Sequence, residues 1–189
     1  YGVALQMRDR IDYTMIASTE VMQCLNDTNM KAMLGALEDG ARATGIAINE
    51  LTESVLVGRL ANTMCMWDNV SLMSVGGFDL RAAKPANDKV ARYMRGSSEG
   101  KEVFYHLAGV EEIIPLARMV DIYGPCIAPI LPSGDAHYQA PDPVSQPELY
   151  KRHVSKMGTK HERMAALISS VGYDLSYLAG GVMPKYRNQ

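Results

Sequence analysis

The feature that most constrains the fold is a long segment, residues 49–73, that would be apolar on nearly every side of a helix. Leucine, valine, methionine and tryptophan recur through it at helical spacing, and further apolar residues fill the gaps between them. Asn49 is a good residue to cap such a helix at its start. Because a helix without a polar face is a buried one, the segment predicts a central helix that places Leu56, Leu60 and Met64 in the core.

Other segments show the spacing of amphipathic helices, with apolar residues at i, i+3, i+4 and i+7. The predicted additional helices cover residues 3–25, 30–41, 88–95, 98–109, 115–123 and two segments within 145–171. No stretch alternates apolar and polar residues with a period of two, so no strand is predicted. The sequence therefore predicts an all-α fold, a multi-helix globular domain around the buried central helix.

Prolines divide the chain after residue 123. Six of the nine prolines fall in residues 124–147, and each removes an amide donor and favours extended backbone in the residue before it. We therefore expect a proline-rich extended arm there, and an irregular C-terminal tail over residues 172–189. The predicted organisation is a helical core at 1–123, the arm at 124–147, C-terminal helices of the same domain at 148–171, and the tail at 172–189.

Composition limits the class of protein. With 47% hydrophobic and 21% charged residues, the chain of 189 residues can build one folded domain and is too apolar to be disordered. Its apolar runs are too short to span a bilayer, so no membrane partner is expected. Cys24, Cys65 and Cys126 form an odd, scattered set, which favours reduced thiols and therefore the cytoplasm or a virion. No residue spacing predicts a metal site or a cofactor.

Charge is unevenly distributed along the chain. Residues 1–80 carry five Lys or Arg against ten Asp or Glu, whereas residues 81–189 carry fourteen against eleven. Two basic stretches in the second part have near-helical spacing. On a helix, this spacing would place the cations of a stretch together, where they could contact phosphates, and a neighbouring tyrosine could stack on an unpaired base. The predicted nucleic-acid-binding residues are Arg81, Lys84, Lys89, Arg92, Tyr93, Arg95, Lys151, Arg152, Lys156, Lys160 and Arg163. Solvated helix surface is the competing interpretation of each stretch.

Residues 37–56 offer an alternative function. A helix, a turn at Gly45 and a capped second helix resemble the helix-turn-helix of duplex-binding regulators. Such a second helix should present donors to bases and phosphates, but here it presents Glu50 and Glu53, which a polyanion repels. An ordinary helical hairpin is the simpler interpretation.

A helical enzyme subunit is the other alternative. Cys126, Asp135 and His137 share the arm and would have to meet in space to form a nucleophile set. None of the four histidines stands four residues from another, as a helical metal site would require. No catalytic residue is therefore predicted.

The expected function follows from the predicted layout. Arms and tails bury little surface of their own, so they gain stability by docking on a neighbouring subunit. We therefore expect a structural, self-assembling protein, most concretely a viral coat or nucleocapsid subunit. It would form homo-oligomers through residues 124–147 and 172–189, and it would hold nucleic-acid backbone, RNA or DNA, without reading its sequence.

Overall fold

A mixed β-sheet, rather than a helix, lies at the centre of the protein. The computed structural model describes residues 11–18, 21, 24–47, 58–60, 63–78, 92–95, 103–106, 110–133 and 140–187. Within these ranges helices pack on a four-stranded sheet. The fold is therefore α/β, and the all-α prediction is wrong.

The sheet has the spatial order β1-β3-β2-β6. Its strands are β1 (Tyr13–Ala17), β2 (Ala43–Ile46), β3 (Met64–Asp68) and β6 (Ile127–Ile130). β3 pairs antiparallel with β1 and β2, whereas β2 and β6 run parallel. Two further strands, β4 (Arg92–Arg95) and β5 (Val103–His106), pair with each other as a separate antiparallel ribbon, called the β4–β5 ribbon below.

Six helices occupy the described ranges. They are α1 (Asp27–Glu38), α2 (Asn69–Ser74), α3 (Ile113–Tyr123), α4 (Pro147–Gly158), α5 (Lys160–Ser169) and α6 (Leu175–Gly180). α1, α3, α4 and α5 confirm the helices predicted from amphipathic spacing and start signals. No helix in these ranges is long and apolar enough to cross a bilayer.

The predicted central helix is instead a buried strand followed by a short helix. Residues 64–68 form β3 and residues 69–74 form α2, while much of 49–62, including Leu56, lies outside the described residues. Successive β3 residues alternate between two cores: Cys65 and Trp67 lie in one, Met64 and Met66 in the other. A strand covered on both faces is apolar at every position, as a fully buried helix is. Leu60 and Met64 are buried, as predicted.

Three other predicted helices are also wrong where they are described. β1 lies within the helix predicted over 3–25, β4 within 88–95 and β5 within 98–109. These strands have only four or five residues. Strands of that length are too short to establish a period of two against the surrounding helical spacing.

The predicted extended arm begins as part of the sheet. β6 is buried and pairs with β2, so this part of 124–147 belongs to the body of the protein. Pro129 is tolerated because β6 is the last strand of the sheet, so its missing amide donor removes no hydrogen bond to a further strand.

In β2, Gly45 lets the backbones of β2 and β3 approach each other, since a Cβ there would lie 2.9 Å from the Met64 carbonyl oxygen. Because Gly45 lies within a strand, the turn predicted there for a helix-turn-helix does not form.

The tail packs on its own subunit instead of being irregular. After α6, the Met183 amide donates to the Ile127 carbonyl oxygen, and Val182 bridges Ile127 in parallel. A 3-10 turn, Pro184–Tyr186, then places the Tyr186 side chain in the core beside α1. On the surface nearby, Lys185 pairs with Asp39. The tail therefore covers the outer edge of β6.

Two neighbouring residues provide a stability test of this tail. Tyr186→Ala should lower the free energy of unfolding by about 3 kcal/mol, because it empties a core position. Lys185→Ala removes an exposed ion pair with Asp39 and a contact over the Tyr186 ring, and it should cost much less than Tyr186→Ala. Urea unfolding followed by circular dichroism measures both. Equal, small effects would show that the tail does not pack on the sheet in solution.

Candidate functional site

The first basic stretch predicted to bind nucleic acid is only partly described. Arg81, Lys84 and Lys89 lie outside the described residues, whereas Arg92, Tyr93 and Arg95 lie in β4. The shared helical face inferred for the arginines was wrong, because the repeat of a strand is two residues and not 3.6.

The second basic stretch is divided between surface and interior. Lys151 and Arg152 are exposed on α4, and Lys156 lies on the same helix. Lys160 and Arg163, in the first turn of α5, are 8% and 5% exposed and therefore cannot form one continuous surface stripe with the others.

Lys160 and Arg163 belong to a buried ion cluster that joins three segments. The members of this cluster are Arg59 before β3, Glu111 and Glu112 before α3, and Lys160, Glu162 and Arg163 on α5. Glu112 is fully buried, and its Oε1 accepts from Arg59 Nε at 3.4 Å. Among the described residues, no hydrogen-bond donor reaches Glu112 Oε2.

Gly58 fixes the position of Arg59. Its φ is +62°, and a Cβ there would lie 1.9 Å from the Leu178 carbonyl oxygen. Only glycine allows the chain to pass this close to α6. The approach holds Arg59 against the start of α3.

Burial dominates the electrostatics of the cluster. Loss of hydration raises the pKa of Glu112 above its ordinary value, and the nearby charges of Arg59 and Lys160 oppose that shift only in part. Burial likewise lowers the pKa of Arg163, against the attraction of Glu111, Glu112 and Glu162. The cluster ties the starts of α3 and α5 to the segment before β3, and its burial suits a structural role better than a catalytic one.

Little in the sequence indicates this cluster. Glu111 and Glu112 are adjacent, and adjacent side chains on a helix point apart, so their spacing alone does not indicate a joint role. Their position directly before the apolar run of α3 does indicate a polar role, because the first amides of a buried helix have no partners within the helix and need polar groups nearby. Arg59 had no local signal, because its partners are distant in sequence.

The candidate nucleophile set does not offer a reactive thiol. Cys126 is 2% exposed, and burial raises its pKa to about 12, so the thiolate is scarce at neutral pH. Asp135 and His137 lie outside the described residues. Cys24 and Cys65 are also buried free thiols. In the described part of the chain, no group of three or more His, Cys, Asp or Glu side chains is placed to hold a metal.

One exposed apolar surface runs along α4. Leu149, Tyr150 and Val154 are each at least a third exposed, and helical spacing places them within one arc of the helix. Ser155 occupies the opposite side and is also exposed. The helix packs against α5, and none of its residues with a described side chain is buried. We call Leu149, Tyr150 and Val154 the α4 face.

A second exposed apolar surface joins α2 and α3. Val70 is 63% exposed and Ile122 57% exposed, and Met73 and Tyr123 are partly exposed beside them. The two helices pack together, and the Ser74 and Tyr123 hydroxyls lie 3.1 Å apart. We call Val70, Met73, Ile122 and Tyr123 the α2–α3 patch. Single exposed apolar residues are common on protein surfaces, but contiguous sets mark interaction sites.

Comparison with known proteins identifies no relative of this chain. No protein-family model matches it, and no curated protein or solved structure gives a significant match. Its function must therefore be inferred from the residues and surfaces described above.

The buried carboxylate of Glu112 predicts a specific pH dependence of stability. Because its pKa is raised by folding, its contribution is complete below the ordinary glutamate pKa and is lost as the pH rises through the raised value. Glu112→Gln stays neutral throughout, so its stability relative to wild type should increase with pH.

Urea unfolding between about pH 4 and about pH 8 measures this difference. Glu148→Gln, at an exposed position of α4, is the matched control and should show no comparable trend. A pH-independent difference between Glu112→Gln and wild type would contradict the assignment.

Gly58 supports a second stability prediction. Gly58→Ala should lower the free energy of unfolding by about 2 kcal/mol or more, because it adds a clash with Leu178 to the strain of a positive φ. Gly77→Ala is the control, since Gly77 has a φ of +72° but no atom within 4 Å of its added Cβ. Equal thermal shifts for the two variants would refute the close approach to α6.

Proposed function

We propose that the protein is a structural subunit that self-assembles, of the coat or nucleocapsid kind. The observation that carries the proposal is the α4 face, an apolar arc on a helix that projects polar and apolar residues alike into solvent. Apolar area of this kind is stabilised when another surface removes it from water. The partner proposed for it is a second copy of this chain.

The α2–α3 patch is the proposed docking surface for the α4 face of the next subunit. Both surfaces are apolar, and each has exposed charge beside it. Lys151 and Arg152 adjoin the α4 face, whereas Asp121 adjoins Ile122 and the Arg42 guanidinium lies over the Tyr123 ring. Opposite charges at the rim of an interface favour the correct register. A contact between two different surfaces is heterologous, so each added subunit presents a fresh site for another.

The size of the contact also fits repeated assembly better than a tight dimer. α4 has 12 residues and is therefore about 18 Å long. One such helix buries less than the roughly 800 Å² per partner of a standard interface. A single contact of this size is weak, and only its repetition through an array gives a stable particle.

The position of the assembly surface differs from the one expected from sequence. The described parts of residues 124–133 and 172–187 make contacts within their own subunit, through β6 and the tail. The segment 140–146, which leads into α4, remains largely exposed. The proposed contact therefore uses this segment and α4, together with the α2–α3 patch.

Charge substitution tests the contact. Val154→Asp and Ile122→Asp should each weaken association about 100-fold or more, because an unpaired carboxylate at an apolar contact costs several kcal/mol. Ser155→Asp adds the same charge on the opposite side of α4 and should assemble like wild type. Sedimentation velocity over a concentration series measures all three.

Mixing the two monomeric variants gives a sharper test. Ile122→Asp retains an intact α4 face, and Val154→Asp retains an intact α2–α3 patch. An equimolar mixture should therefore form a dimer that cannot extend. A wild type that is monomeric at every concentration would refute self-assembly. An Ile122→Asp variant that still dimerises alone would instead show that α4 pairs with another α4.

A further inference from the structure

The strand β1 forms one outer edge of the four-stranded sheet. β3 pairs with its inner side, and within the described part of the chain no strand pairs with its outer side. At the opposite edge of the sheet, the tail of the same subunit covers β6. The two edges therefore differ, because a row of backbone donors and acceptors on β1 is left for a further strand.

Hydrogen bonding to β3 shows which backbone groups of β1 form this row. Directly after β1, the Ser18 amide donates to the Thr63 carbonyl oxygen at 2.8 Å, so residue 18 faces β3. Backbone groups of successive residues in an antiparallel strand point to opposite sides. Residues 14 and 16 therefore face β3 as well. The residues whose amides and carbonyls point outward are Tyr13, Met15 and Ala17.

The side chains of β1 leave this edge uncharged. The strand reads YTMIA, without a charged residue or a proline, and its pairing with β3 runs through all five residues without a bulge. Charges, prolines and bulges are the usual means by which an edge strand is kept from pairing with another chain, and β1 has none of them. Ala17 is exposed, and Ile16 is 36% exposed. Nothing in the composition of the strand therefore opposes the addition of a further strand.

A second copy of β1 matches this edge when it lies antiparallel about a two-fold axis at Met15. In that register Met15 lies opposite its own copy, and each outward amide meets an outward carbonyl. The large Tyr13 lies opposite the small Ala17. The exposed carboxylate of Asp12 lies opposite Ser18, so the two copies do not place like charges together. The strand is thus complementary to itself in size, charge and hydrogen bonding.

We propose that the outer edge of β1 pairs with the β1 edge of a second copy, which joins two sheets into one with four strands from each subunit. A charged peptide would find no opposite charge on this strand, whereas a copy of the strand supplies the matching donors and acceptors.

The inference rests on the proposed function, because a pairing of five residues is too small to hold two free subunits together. Contacts between the α4 face and the α2–α3 patch join subunits into rows. In such rows many β1 edges are held close together, and their effective concentration favours pairing. The strand contact therefore links one row to the next.

Disulfide crosslinking of the assembled protein tests the register. Met15→Cys places two thiols opposite each other with Cα atoms about 5.5 Å apart, a separation that a disulfide can bridge. The native cysteines are buried and should not compete. Ile16→Cys is the control, because residue 16 is exposed but lies opposite residue 14 of the copy. Met15→Cys should crosslink about tenfold faster or more under mild oxidation, and equal rates would overturn the proposed pairing.

Proline substitution tests the outward amides. Met15→Pro removes an amide that points away from β3, which an edge strand tolerates, so the monomer should fold. Association between rows should weaken about tenfold or more, because the two hydrogen bonds at the axis are lost, and electron microscopy should show single rows. Thr14→Pro, the control, removes an amide that faces β3 and should lower the melting temperature much more. Rows that remain joined in Met15→Pro would contradict the inference.

The Val154→Asp variant separates this inference from the proposed function. Because it lacks the α4 contact, Met15→Cys should crosslink about tenfold more slowly in this background. Assembly of the Met15→Cys protein without crosslinks at residue 15 would overturn the strand pairing and leave the proposed function intact. Equally fast crosslinking in both backgrounds would support the strand pairing and refute its dependence on the proposed function.

Discussion

Burial of the sheet on both faces is the interaction on which the rest of the structure depends. β3 lies between the two cores, with Trp67 fully buried on one side and Met66 on the other. The Trp67 indole donates to the Cys65 sulfur at 3.0 Å, and its ring meets Phe78 edge-on at 5.2 Å. β2 pairs with β3, and β6 pairs with β2. The position of β3 therefore determines the positions of both strands and of the helices that follow them.

Sequence reasoning was reliable where the signal is local. The amphipathic spacing of α1 and α3 is a property of a dozen neighbouring residues, and both helices form. β3 and β6 were missed because strands buried on both faces lose the alternation that identifies them. The tail was missed because its order comes from contacts with Ile127 and Asp39, far away in the chain. The cluster at Glu112 was missed for the same reason, and helical spacing could not show that Lys160 and Arg163 are buried.

The buried ion cluster changes the interpretation of surface charge. Lys160 and Arg163 lie beside carboxylates in the interior, so they contribute little to the field that an anionic partner meets. The second basic stretch therefore presents fewer surface cations than its sequence spacing suggests.

The parallel pairing of β2 with β6 has a consequence for synthesis on the ribosome. Thr44 donates to the Ala128 carbonyl oxygen across 84 residues of sequence, and residues 181–183 of the tail pair with the outer edge of β6. Closing so long a loop is slow, and it cannot begin before both partners have left the ribosome. α3 packs on this sheet, so the patch it forms with α2 takes its final shape only after residue 182 has emerged. In the proposed assembly, a nascent chain would therefore present this patch to a neighbour only after the sheet has closed.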